Sequence, residues 1–236
     1  MRCAGPTEED CFVNIIQAVK VSYSYRSKYQ TIEAVKQVTC GFEPGKMYVI
    51  TGESGSGKTT LLSLLAGLDL PTEGSIVVDG RDMREINRDR YRRETASVVY
   101  QSFHLFPLLT AQENVMYPLE LRGVKRHKAA DTARGLIAGV GLEERVNRQF
   151  PTMMSGGQQQ RVAIARALAA GGRILLADEP TGNLDTANEA AVIGLLKMLA
   201  HERAYAVIIV THNRDIVAQA DHVYVMQDGA LKDGTA

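Results

Sequence analysis

The octapeptide GESGSGKT, Gly52 to Thr59, constrains this chain more than any other stretch of it. It fits the pattern GxxxxGK[ST], it follows the short apolar run MYVIT, and it opens the helix-like KTTLLSLLAG. In that strand–turn–helix setting, glycines let backbone N–H groups turn inward around phosphate oxygens. The helix N-terminus adds about half a positive charge. Gly52, Ser54, Gly55, Ser56, Gly57 and Thr60 are therefore candidates for cradling a phosphate chain. Lys58 is expected to reach the β- and γ-phosphates, and Thr59 to place its hydroxyl on Mg2+. The bland alternative is a Gly/Ser-rich turn that binds nothing. A full match between a buried strand and a helix argues against it.

A loop of this kind needs a second anchor for the metal. ILLADE supplies one, an apolar strand ending in Asp178 and Glu179. Asp178 can hold Mg2+ through water, and Glu179 is set to take a proton from an attacking water. Two adjacent acids at the end of a buried strand point to hydrolysis rather than simple binding. A merely solvated strand end is the competing reading, weakened by the PTGNLD that follows at once. Lys58 and Asp178 also lie further apart than in compact P-loop switch proteins. No NKxD-type guanine-reading motif is present, so ATP is favoured over GTP.

Around these motifs the hydrophobic rhythm changes twice. Early on, the odd positions Ile15, Val19, Val21 and Tyr23 suggest a strand, with Gln17 as the exception. Val38, Cys40 and Phe42 then alternate with polar or small residues, so two antiparallel strands are expected, with Cys40 packed in the core. MYVIT, SIVVDG, ASVVYQ, RILLAD and AVIIVTH read as short buried strands, and a hairpin is expected at Asp228-Gly229. Between residues 102 and 170 the texture is helical instead. The expectation is an α/β fold with a mostly parallel sheet, an N-terminal antiparallel β-subdomain and an inserted helical subdomain. Its boundaries are a flexible tail at 1–11 and a single domain at 12–236, the core being 12–101 plus 171–236 and the insertion 102–170.

Composition excludes other classes. Hydrophobic residues at 45% and charged residues at 23% rule out a disordered chain. Lys+Arg and Asp+Glu both number 27, so the formal charge is zero and coating nucleic acid is not the expected task. Cys3, Cys11 and Cys40 are odd in number with no CxxC spacing, which speaks against a disulfide framework or a zinc site and suits a reducing cytoplasm. MRCAGPTEED carries no apolar signal core, and no apolar run approaches the ~20 residues that span a bilayer. If the chain works at a membrane, another chain is expected to do the crossing.

MSGGQQQR, Met154 to Arg161, adds a second helix start built for anions. Ser155 offers a hydroxyl, Gly156 and Gly157 allow close backbone approach, and the dipole favours negative charge. One chain cannot easily wrap a triphosphate with two distant helix N-termini. Two chains placed head to tail can, so an ATP-sandwiched dimer is expected.

With these motifs in this order, the chain resembles the ATPase subunits of ABC transporters, from about Val13 to Gly234. GESGSGKTT resembles Walker A, ILLADE resembles Walker B, and MSGGQ resembles the LSGGQ signature with Met154 in place of Leu. Gln101 matches the Q-loop glutamine, Asn183-Leu184-Asp185 the D-loop, and His212 the switch histidine. The resemblance implies that Gln101 senses the γ-phosphate and metal, and that His212 contacts the γ-phosphate. It implies Glu179 as the base, Ser155, Gly156, Gly157 and Gln158 on the nucleotide, and Asp185 acting across the dimer. It also implies an aromatic residue stacked on adenine. Tyr25 best fits the spacing, with Tyr23 and Tyr29 in competition and strand-end packing as the alternative. His104, His127, His201 and His222 read as surface or satisfied residues.

GLDLPTEG, YQSFHLFPLLTAQENV and LLADEPTGNLD further resemble the branch that serves macrolide exporters, lipoprotein-releasing complexes, antimicrobial-peptide resistance and a cell-division complex. That resemblance implies ATP and Mg2+, an integral-membrane permease as partner, and a homodimer or heterodimer of ATPase domains. It implies a place on the inner face of the cell membrane, and work of export, extraction or mechanotransmission. Phe103, Leu105, Phe106, Leu108 and Leu109 are expected to go mostly to the core, with some left for a permease helix. The alternatives are a regulator of a cell-wall hydrolase acting through a transmembrane partner, and a soluble non-transport ABC ATPase.

Overall fold

The computed structural model describes residues 14–234, so the expected tail at 1–11 lies outside the described residues. SIVVDG joins a separate antiparallel sheet, while the other four of the five short apolar runs enter one six-stranded sheet. Its strands are β3 (Met47–Thr51), β6 (Ala96–Tyr100), β7 (Ile174–Asp178), β8 (Ala206–Val210), β9 (His222–Gln227) and β10 (Ala230–Gly234). The order is β10-β9-β3-β8-β7-β6, parallel throughout except for the β9–β10 hairpin. That hairpin turns on Asp228 and Gly229, both at positive φ, the geometry that follows strand twist in a two-residue turn.

The register matters more than the strand count. Ile50 lies beside Val210, Val210 beside Asp178, and Asp178 beside Tyr100. Strands β3, β8, β7 and β6 thus end level with one another. The residues that follow, including Gly52, Thr211, Glu179 and Gln101, leave from one edge. In parallel sheets this edge is where ligands bind.

Both faces of its central strands are covered, which is why β3, β6, β7 and β8 are mostly apolar. Met47, Val49, Leu175, Ala177, Val207 and Ile209 point into one core. That core is closed by four helices: α3 (Ala111–Leu121), α4 (Arg126–Gly139), α5 (Gly156–Ala169) and α6 (Thr186–Arg203). Tyr48, Ile50, Ile174, Leu176, Ala206 and Ile208 point the other way. They meet α1 (Lys58–Leu65) through Leu61, Leu62, Leu64 and Leu65, and an antiparallel sheet beyond it. Each such large side chain contributes roughly 1.5–3 kcal/mol by leaving water. The antiparallel sheet runs β2-β1-β4-β5, formed by β1 (Ile16–Arg26), β2 (Thr31–Phe42), β4 (Glu73–Val78) and β5 (Arg81–Asp82). Cys40 is buried in it, and burial pushes its thiol up to about 12, so it packs rather than reacts. Two short helices, α2 (Arg88–Glu94) and α7 (Arg214–Val217), and two 3-10 helices, Glu144–Arg148 and Pro151–Met153, complete the described elements.

Two expectations need correction. In β1 the odd-position rhythm fails: Ile16 and Ala18 are buried while Val19 is only half-buried. A bulge at Lys20, whose φ is 48°, shifts the register before Val21, and β2 and β4 flank the strand on both sides. In the segment after Gln101, the core does not claim most of the five apolar residues. Phe103, Leu105 and Leu109 are half-buried, while Phe106 and Leu108 are exposed, Leu108 at 87%. The cause is a polar scaffold. Fully buried Asn114 accepts from the Phe106 N–H and donates to the carbonyls of Phe106, Leu109 and Thr110. Arg166 donates to the carbonyls of Phe103 and His104. With its backbone satisfied this way, the segment keeps an irregular path, with Phe103 and His104 at positive φ, and leaves side chains at the surface. No helix among the described residues is long and apolar enough to cross a membrane.

Candidate active site

A cavity of about 930 Å3 opens at the shared end of β3, β6, β7 and β8. Its phosphate loop cannot tolerate a side chain at Gly57. That residue sits at φ 105°, and a Cβ there would lie 2.1 Å from the Ala34 carbonyl oxygen. The loop is therefore pressed against β2 as it enters α1. Lys58 is largely buried, and its ammonium donates to the carbonyls of Gly52 at 2.8 Å and Glu53 at 2.7 Å. Those acceptors take two of its hydrogens, and an ammonium has a third to give. Gly52, Ser54, Gly55, Gly57, Thr59 and Thr60 line the cavity. Ser56 does not, and its buried Oγ has no hydrogen-bond partner among the described residues.

The acidic pair stands opposite. Thr59 Oγ1 donates weakly to Asp178 Oδ1, at 3.4 Å. Burial pushes the Asp178 carboxyl up and the Glu179 charge adds to this, while the Thr59 hydroxyl and Lys58 pull the other way. Glu179 adopts φ 47°. For a residue with a Cβ, that left-handed conformation costs about 1–3 kcal/mol. It is held on every side. Its N–H donates to Val210 O at 2.9 Å, Oε2 accepts from Thr211 Oγ1 at 2.8 Å, and Oε1 lies 2.7 Å from His212 Nδ1.

Gln101 sits on the same rim. Its Nε2 donates to Asn183 Oδ1 at 3.3 Å, and Asn183 Nδ2 returns a bond to the Gln101 carbonyl at 3.2 Å. The pairing leaves the Gln101 amide oxygen for a cation. Tyr25 forms a wall of the cavity, half-exposed, with its hydroxyl 3.1 Å from Thr60 Oγ1 and Tyr23 packed edge-on against it. Tyr23 and Tyr29 do not line the cavity, and Tyr29 is 94% exposed.

Ser155, Gly156, Gly157, Gln158 and Asp185 are not brought to this cavity. They form a second unit. Ser155 caps α5: its hydroxyl accepts from the Gln158 N–H, and the Gln158 side chain accepts from the Ser155 N–H. A Cβ on Gly157 would lie 2.1 Å from Asn188 Oδ1. Asn188 in turn donates twice to Asp185, the cap of α6, and these bonds hold the Asp185 carboxyl below its ordinary range. Signature and D-loop thus share one packed face. The sequence alone did not point to Glu33, Lys36 and Asp228, which also line the cavity, nor to Thr211 behind it. Glu33 and Lys36 arrive on β2 and Asp228 on the β9–β10 turn, and neither element carries a local nucleotide-binding motif.

Residues 35–182 match the family model described as ABC transporter. The chain belongs to the ABC transporter family. Its ABC relatives include an uncharacterised ABC transporter ATP-binding protein of Mycobacterium tuberculosis, 41% identical over 92% of this chain and 88% of that protein. The macrolide export ATP-binding/permease protein of Salmonella typhimurium is also 41% identical over 92% of this chain, which spans only 34% of that longer protein. Among solved ABC structures, an ATP-binding cassette in a dimeric post-hydrolysis state bound to ADP and Pi superposes with a TM-score of 0.84. It is 34% identical, and the match covers 94% of this chain and 99% of that one. The chain is thus an ATPase of the ABC type, with the α/β architecture expected from its sequence.

The polar groups of this ABC site fit ATP with a hard cation. Thr59, Asp178 and Gln101 offer a hydroxyl, a carboxylate and an amide oxygen. No group of three or more His, Cys, Asp or Glu that could hold a metal occurs among the described residues. So sparse an all-oxygen set suits Mg2+, which keeps waters and takes its remaining ligands from phosphate. A cation held there would favour the ionised form of Asp178, against the burial and the Glu179 charge that push it up.

Proposed function

We propose that this chain is the ATP-hydrolysing motor subunit of a membrane transporter, working as a dimer on a separate permease for export, extraction or mechanotransmission. The observation that carries this reading is a divided site. The phosphate loop, Asp178, Glu179, Gln101 and His212 share one cavity, while Ser155–Gln158 and Asp185 form a separate face. A second copy placed head to tail presents that face to the γ-phosphate and closes the cavity from the outside. The partner copy is identical or a close relative, since one chain carries both halves.

Tyr25 stacks on adenine, and the loop N–H groups with Lys58 hold the phosphates. Mg2+, held by Thr59, Asp178 and Gln101, would supply charge neutralisation on the β- and γ-phosphates. Glu179 accepts a proton from water as its oxygen bonds to the γ-phosphorus. The bond from that phosphorus to the β–γ bridging oxygen breaks, leaving ADP and inorganic phosphate. His212, bonded to Glu179 Oε1, steadies the carboxylate and faces the γ-phosphate. Loss of that phosphate removes the contact that joins the two copies, and the dimer opens.

The permease contact is supported by the surface beside the Gln101 loop. Phe106, Tyr117, Leu121, Arg92, Arg93 and Arg166 line a groove of about 270 Å3, with the Arg166 guanidinium 5.9 Å from the Phe106 ring centre. An amphipathic helix on the inner face of the membrane suits such a mixed apolar and cationic groove. Affinity capture of Glu179→Gln with ATP from detergent-solubilised membranes of the native cell tests the partner. The expected result is co-purification of an integral-membrane protein whose retention is lost in Leu121→Glu. Recovery of soluble assemblies alone, such as ribosomes, contradicts the transporter reading.

A further inference from the structure

We propose that Thr211 is a positioning residue of the ATPase, fixing the rotamer in which Glu179 meets its water. This inference rests on the reading of Glu179 as proton acceptor. Glu179 leaves β7 in a left-handed conformation at the rim of an open cavity, where a carboxylate is free to rotate about its side-chain bonds unless something holds it. Its two oxygens are held in different ways. His212, on the side of Oε1, is 79% exposed at its side chain and lines the cavity. An exposed partner of that kind is free to exchange its bond for one to a phosphate. Thr211, on the side of Oε2, is 0% exposed.

The Thr211 hydroxyl is itself fixed. Its backbone N–H donates to Ile50 O at 3.2 Å, locking it to the end of β3, just before the phosphate loop. Its Oγ1 accepts from the Asn213 N–H at 3.1 Å, so its one proton is directed to Glu179 Oε2. The carboxylate is thereby tied to the strand that carries the phosphate loop. Oε2 is the anchored oxygen, and Oε1 is the one that changes partners. Removing the hydroxyl leaves Glu179 in place but without its anchor at Oε2. That change acts on turnover, not on ATP affinity, because Thr211 does not line the cavity.

Steady-state hydrolysis by Thr211→Val, Thr211→Ser and Glu179→Gln tests this, with melting temperature and binding of a non-hydrolysable ATP analogue measured on each. Valine keeps the volume and loses the hydroxyl, whereas serine keeps the hydroxyl and loses the methyl. The expected result for valine is a fall in kcat of about 10- to 100-fold, the scale of a misplaced catalytic group. Its KM for ATP should stay within about twofold. Serine should recover most of the rate. Full activity of Thr211→Val beside an inactive Glu179→Gln overturns the proposal and leaves the Glu179 role standing. Full activity of Glu179→Gln removes the Glu179 role and the proposal with it. If valine lowers kcat, analogue affinity and melting temperature together, and serine fares no better, Thr211 is structural and the proposal is wrong.

Discussion

At the scale of single residues, the site works through contacts too close for ordinary side chains. Gly57 is the sharpest case, because a methyl there would meet the Ala34 carbonyl oxygen at 2.1 Å and the Met226 methyl at 2.8 Å. Gly55, at φ 79°, has open space where a methyl would stand, so only its backbone conformation resists substitution. Gly57→Ala should therefore lose ATP-analogue binding and cost more stability than the about 1–3 kcal/mol of a forced left-handed residue, because the clash with Ala34 adds to it. Gly55→Ala should cost less on both counts. Urea unfolding midpoints and calorimetric titration check the pair, and equal effects would count against close packing as the cause. The residues of the phosphate loop were legible in the sequence because their spacing is itself the chemistry. Thr211 was not, because a threonine at a strand end gives no local sign of which distant carboxylate it will meet.

At the scale of elements, short continuous apolar runs revealed the strands of the parallel sheet, since both of its faces are buried. Period-two alternation failed in β1, where the bulge at Lys20 changes which side faces inward. A bulge is set by pairing with β2 and β4, which a local pattern does not contain. The segment after Gln101 shows the same limit. Its apolar residues suggested core, and Phe103 and Leu105 do pack against it, but the backbone held by Asn114 and Arg166 leaves Phe106 and Leu108 exposed. Three carbonyls share the two amide hydrogens of Asn114, and its oxygen takes the Phe106 N–H. Asn114→Ala should thus strip partners from several part-buried backbone groups and destabilise by about 2–4 kcal/mol, less than about 1–3 for each because water reaches some of them. Hydrogen exchange followed by mass spectrometry should find faster exchange over residues 105–110 than elsewhere. Uniform acceleration across the chain would contradict a local role for this side chain.

At the scale of the whole molecule, the parallel sheet gathers one half of the machinery at the ends of β3, β6, β7 and β8, and the α5 and α6 N-termini carry the other half elsewhere. That separation was legible from two anion-binding helix starts in one chain. The close packing of Gly157 on Asn188, which binds the signature to the D-loop as one face, was not, because it depends on how α5 and α6 meet. On the proposed reading, ATP joins two copies of this divided site and hydrolysis parts them. Sedimentation velocity of Glu179→Gln at saturating ATP and Mg2+ tests this most directly. The predicted result is a doubling of mass that ADP does not produce and that Ser155→Arg abolishes. A monomer under the same conditions, with ATP shown to be bound, would contradict the divided site.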